Sequence, residues 1–241
     1  MHHAASHHLP DSPFAEFHLR AASMTDAAAL SDATAERRPR GRPRKLPEAR
    51  DDGNRRQELI RAAAHLFRQQ GFAATSTRDI AAAVGMRSGS PFYHFESKEA
   101  LLAAVMLEGM QGALQRQNAA LAGLPRGADV RERMRVLVRN HFDVLLGPDS
   151  DFIPVMLYEW RSLTEAQRSE VNRLKADYEA AWVPVLQALH ASGELQGDPG
   201  LARLMLFGAL NWSVQWFDAS RRATLDDLTQ TALQLFLKEP T

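Results

Sequence analysis

The chain has no cysteine in its 241 residues. That excludes disulfide frameworks, thiolate zinc sites and cysteine nucleophiles, and it makes a reducing cytoplasm the expected location. Long apolar runs are also missing: the stretch 201–210 is broken by Arg203 and falls short of the roughly 18 to 20 residues a membrane helix needs. No membrane partner is therefore expected. Alternating strand-like patterning is absent along the chain. The C-terminal two thirds hold no glycine-rich phosphate loop, no evident nucleophile–base pair and no His-x-x-x-His spacing, so nothing there implies an enzyme, a cofactor or a metal.

A net charge is missing as well, because 29 basic and 29 acidic residues cancel. The cancellation is regional. Residues 37–54 and 55–98 each carry seven basic against three acidic side chains, whereas 1–36 and 99–241 are acidic. A positive field on 37–98 suits a phosphate-contacting surface. Residues 1–50, with their early histidines, many alanines and little periodicity, are expected to be a disordered tail, and Met24 is an alternative start. Within that tail, residues 37–45 hold six basic residues around a Gly-Arg-Pro centre. This resembles an AT-hook, whose Arg40, Arg42 and Arg44 would enter a narrow minor groove.

From Arg55 onward the residues are amphipathic at helical period, separated by Gly and Pro, which predicts an all-α fold. The first helix is expected over Arg55–Gln70 with Asn54 as N-cap and Gly71 as its stop. A short helix follows at Arg78–Val84, then a turn at Gly85-Met86-Arg87, then a third helix at about Ser88–Phe95. Two short helices joined by a glycine turn are the arrangement in which the second helix enters the major groove. Longer helices are expected at Ser97–Ala122, Ala128–Leu146, Asp151–Arg161, Glu165–Ala191 with a kink at Pro184, Pro199–Trp216 and Leu225–Leu237, about nine in all. Thr164 with Gln167 matches a capping box, and Asp198-Pro199 and Thr224 mark further starts.

Ala63-Ala64-His65-Leu66-Phe67, Gly71-Phe72, Thr75 to Ala81, Gly85-Met86, Ser88-Gly89-Ser90 and Phe92 to Glu99 together resemble the TetR DNA-binding domain. The resemblance implies a head at 51–113 and an effector-binding and dimerisation body at 114–241. It also implies residue roles. Ser76, Thr77 and Tyr93 would contact phosphates, with His94 beside them. Arg78, Arg87, Ser88, Gly89 and Ser90 would approach base edges, and Lys98 would hold the backbone. Phe92 and Phe95 would pack the head. Pro91 departs from the family, which more often has leucine there.

Met106 and Met110 at the end of the head, and Phe142, Met156, Trp160, Trp182 and Trp212 in the body, are bulky residues at helical spacing, suited to a core or to an adaptable apolar pocket. Tyr158-Glu159-Trp160-Arg161 and Asn211 to Phe217 resemble the branch of the family that senses acyl-CoA thioesters, with Arg161 as an anion partner and Asn211 as a polar anchor. The last two helices carry Leu204, Phe207, Leu210 and Val214, and Leu228, Ala232 and Leu235. Their apolar faces predict a homodimer built as a four-helix bundle. The implied protein is a repressor on a palindromic double-stranded DNA operator, released by a small hydrophobic effector. A ligand-dependent activator and a helical small-molecule enzyme are the alternatives.

Overall fold

The computed structural model describes residues 47–86, 91–147 and 150–239. The expectations for the tail, for Arg40, Arg42 and Arg44, and for Arg87, Ser88, Gly89 and Ser90 fall outside those residues. The chain divides into two units, 1–52 and 53–241. Of the first, only the helical backbone of 47–52 is described.

The described residues form ten α-helices: α1 Pro47–Gln70, α2 Thr77–Ala83, α3 Pro91–His94, α4 Lys98–Ala122, α5 Val130–Leu146, α6 Phe152–Glu159, α7 Glu165–Ala180, α8 Trp182–Ala191, α9 Pro199–Trp212 and α10 Leu225–Phe236. Among them the sole β-type pairing is an isolated bridge between Leu195 and Leu237. The all-α expectation holds, and the extra helix has a physical source. A proline ring collides with the carbonyl four residues earlier, and for Pro184 that carbonyl belongs to Ala180. The helix expected over 165–191 therefore stops at Ala180 and restarts at Trp182.

Several helix ends are set by side chains that the sequence already marks. Thr164 and Thr224 form capping boxes with Gln167 and Asp227, Asp198 caps α9 ahead of Pro199, and Ser97 caps α4. One expected cap is wrong. Asn54 lies inside α1, because an Asn in a helix interior costs only a fraction of a kcal/mol, too little to end a helix. Pro199–Trp216 is also shorter than expected: α9 ends at Trp212 and Ser213–Gln215 tightens into a 3₁₀ turn.

The head core is Leu59, Ile60, Ala63 and Phe67 of α1, Ile80 of α2, and Phe95, all buried. It runs into the body without a break along α4, through Leu101, Leu102, Val105, Met106 and Met110. Helix α4 packs against α5, α6 and α7. In turn α5 packs against α8 and α10, and α8 packs against α9.

Candidate nucleic-acid interface and effector body

The head surface begins at the loop between α1 and α2. Gly71 reverses the chain in the left-handed region at φ 83°, where a side chain would be strained. Thr75 is buried and donates its hydroxyl to the Gly71 carbonyl at 2.8 Å. Ser76 caps α2: its Oγ accepts from Asp79 N–H and donates to the Asp79 carboxylate at 2.6 Å, while that carboxylate accepts the Ser76 N–H at 2.8 Å. These hydrogen bonds hold the Asp79 carboxyl below its usual pKa. Ser76 can donate to a phosphate only by releasing Asp79.

Lys98 is committed in a similar way. Its ammonium donates to the carbonyls of Phe72 at 2.8 Å and Thr75 at 2.9 Å and lies 4.3 Å from the centre of the Phe72 ring. It ties the α1–α2 loop to the start of α4 and has one N–H left. Arg78 and Tyr93, by contrast, are exposed, Tyr93 by 80%. His94 sits edge-on to Tyr93 at 5.2 Å, and Thr77 is half-buried. Phe95 belongs to the core, with the Arg56 guanidinium 5.0 Å from its ring centre.

Of the expected pocket residues, Met106, Met110, Phe142, Met156 and Trp182 are buried, Trp160 and Asn211 are half-buried, and Arg161 and Trp212 are exposed. Trp182 is one wall of a polar cluster that also takes in Asn211 and whose other polar members, His141, Tyr178 and Gln117, lie outside the expected set. His141 on α5 shares hydrogen bonds with the Tyr178 hydroxyl on α7 at 3.0 Å and Asn211 Oδ1 on α9 at 3.1 Å. Trp182 Nε1 on α8 donates to Gln117 of α4 at 2.8 Å, and Gln117 donates to the Tyr178 carbonyl at 2.8 Å. The Phe207 ring completes the cage, 5.2 Å from His141 and 4.8 Å from Trp182.

Burial lowers the His141 pKa to about 4 and pushes the Tyr178 hydroxyl well above its usual value. The imidazole is therefore neutral. With Asn211 Oδ1 as an acceptor, His141 donates from Nε2 and accepts the Tyr178 proton at Nδ1. Asn140, the residue before His141, is also buried. Lys175 is buried near the same face of α7, 5.3 Å from the Trp160 ring centre, and burial lowers its pKa to about 8. A signal for this node was present: His141 continues the buried stripe Met134, Leu137, Val138 on α5, and Tyr178 and Lys175 continue from Val171 on α7.

The apolar faces of the last helices divide differently from expectation. Helix α10 lays its apolar face on α5, so Ala232 is buried and Leu228 half-buried within the protomer, with Leu235 exposed. Phe207 and Leu210 are core residues and Val214 packs against the core. The outward face of α9 carries Leu201, Leu204, Met205 and Trp212, with Val183 of α8 also exposed. A helix that is apolar on both sides has one face left for a partner.

A compact head with a capped short helix and exposed arginine and tyrosine, built on a helical body, defines a helix-turn-helix DNA-binding regulator. Residues 59–105 match the model of bacterial regulatory proteins of the tetR family, and 127–239 match the tetracyclin repressor-like C-terminal domain. The chain is 28% identical over 188 residues to the HTH-type transcriptional repressor KstR2 of Rhodococcus jostii, covering 76% of this chain and 89% of that one. Two solved structures are also similar. One is the superantigen PfiT, at 40% identity and TM-score 0.64, over 76% of this chain and 96% of that one. The other is the TetR family regulator PfmR of Thermus thermophilus, at 26% and 0.65, over 73% and 95%. The chain belongs to the TetR family of transcriptional regulators.

Proposed function

We propose that the protein is a homodimeric repressor that holds a palindromic operator and is released by a small hydrophobic effector, acting in the cytoplasm and without enzymatic activity. The carrying observation is the placing of Arg78 and Tyr93. Both stand clear of a head core that is complete without them, on a segment with seven basic and three acidic residues. The similarity to the KstR2 repressor supports repression as the outcome. In this reading residues 51–113 are the DNA-binding head and 114–241 the effector and dimerisation body. Within 1–50, Arg40, Arg42 and Arg44 form a minor-groove arm. Arg87, Ser88, Gly89 and Ser90 join Arg78 at base edges, while Thr77, Tyr93 and His94 meet phosphates.

The dimer forms through α8 and α9, around Leu201, Leu204, Met205 and Trp212, which spaces two recognition helices about one DNA turn apart. The effector enters the body interior against the His141–Tyr178–Asn211 node. Its apolar part replaces contacts among Met106, Met110, Phe142, Met156, Trp160 and Trp182. A ligand that binds better to a splayed dimer shifts the population off DNA. Duplex selection from a random library, followed by light scattering of wild type and of L204E/M205E, tests the scheme. The expected results are an enriched palindrome, a wild-type dimer and a monomeric variant that no longer binds. A monomeric wild type or an asymmetric selected site would contradict it. Acyl-CoA thioesters are the first effector probes, read by calorimetry and thermal shift; absence of both heat and shift rejects that class.

A further inference from the structure

The short helix α6 reaches from the body onto the head at both of its ends. At its start, the Asp151 carboxylate pairs with Arg68 at 3.0 Å and His65 at 3.1 Å, and Arg68 also donates to the Ser150 hydroxyl at 3.1 Å. These three ties reach the C-terminal half of α1. At its end, the Glu159 carboxylate accepts the backbone N–H of Phe72 at 2.9 Å. Gly71 passes so close that a Cβ there would lie 3.6 Å from the same oxygen. Between the two ends, α6 is pressed onto α4, where a Cβ at Gly109 would lie 2.6 Å from the Phe152 Cβ.

The two polar ends do different things. The Asp151 pairs are more than a quarter exposed on both sides, and such pairs contribute little. Glu159 instead satisfies a main-chain donor in the loop that aims α2, opposite the Lys98 ammonium that takes the Phe72 carbonyl. The peptide units on either side of Phe72 are thus gripped from two directions, by a carboxylate of the body and an ammonium of α4. The residue after Glu159 is Trp160, whose ring packs against the body core beside the Lys175 ammonium. Glu159 and Trp160 share a peptide unit, so a backbone shift at Trp160 moves the Glu159 carboxylate as well.

We propose that Glu159 is the positioning residue through which the body sets the orientation of the DNA-binding head, by holding the Phe72 amide. This rests on the repressor reading above and adds to it a direct route that bypasses the long axis of α4. Hydrogen bonds to a charged partner are among the stronger single contacts, so their loss at a hinge is readable in affinity.

The test uses the full chain, a duplex that the wild type enriches from a random library, and amide hydrogen exchange. E159A is expected to expose the Phe72 amide to exchange and weaken duplex binding about tenfold, with the thermal midpoint of the body little changed. E159Q, which still offers an acceptor oxygen but no charge, is expected to recover part of both and to bind more tightly than E159A. If E159A does not yield folded protein, E159D carries the same expectation, because it keeps the charge but withdraws the carboxylate by one methylene. The proposal is overturned if Phe72 opens while duplex affinity stays at the wild-type level, or if E159Q is as weak as E159A. Failure of the wild type to enrich any duplex would instead overturn the DNA-binding reading, and this proposal with it.

Discussion

Head and body solve opposite problems with polar side chains. The head spends its hydroxyls and its lysine on its own loop, at Thr75, Ser76 and Lys98, and leaves Arg78 and Tyr93 outside. The body turns its polar groups inward, so that Gln117, Asn140, His141 and Tyr178 are buried, with the rings of Trp182 and Phe207 against His141. An exposed side chain costs the fold nothing and is available to a partner. A buried one must be satisfied by neighbours and becomes accessible only when those neighbours move. The head therefore presents a ready surface, and the body presents an interior that a ligand has to open.

That contrast is most strongly tested at Trp182, fully buried and hydrogen-bonded to Gln117. Trp182→Ala is expected to destabilise the protein by about 4 kcal/mol, read by chemical denaturation. A loss below about 1 kcal/mol would mean the body interior is loosely packed.

Acid attacks the same interior through His141. Burial lowers its pKa from the ordinary 6.5 to about 4, so between those values the unfolded chain binds a proton that the folded chain refuses. The stability this site confers is complete above pH 6.5 and is lost as pH falls toward 4, by about 2 kcal/mol at pH 5. Comparing wild type with His141→Gln across that window isolates the effect, since the variant should lack this part of the decline. Parallel pH profiles for the two would refute a buried neutral imidazole.

A smaller effect is expected at Ser76, where Ser76→Ala removes the α2 cap at a cost of about 1 kcal/mol. It should appear as faster amide exchange confined to α2. Spread of the effect into α5 or α8 would erase the distinction between head and body. The smallest change in stability belongs to Tyr93→Phe, within about 0.5 kcal/mol because the ring is exposed. Under the proposed phosphate-contacting role of Tyr93, the same substitution should also weaken duplex binding, because the exposed hydroxyl is the donor it removes.

The head was largely legible in the sequence. Its short helices, glycine turns and caps follow from local rules that act over a few residues, as at Ser97 and Gly85. What the residues could not reveal was commitment: nothing in the order of Lys98 or Ser76 tells that their donors are already used within the head. The body was legible as helices and not as contacts. Leu204 and Phe207 sit one turn apart on α9, yet one faces out and the other packs on Trp182, and only tertiary packing separates them. His141 escaped notice because a histidine inside an apolar stripe reads as an interruption until α7 and α9 bring Tyr178 and Asn211 to it.

In the proposed mode this chain grips a palindromic duplex as a dimer through the head surface that Arg78 and Tyr93 define. Binding of the wild type and of Arg78→Ala to the selected duplex, followed by anisotropy at two salt concentrations, tests it most directly. Tight, salt-dependent binding by a dimer is expected, with a loss worth about 1 to 3 kcal/mol in the variant if Arg78 reads a base. Equal affinity of wild type and variant, or binding indifferent to salt, would contradict it.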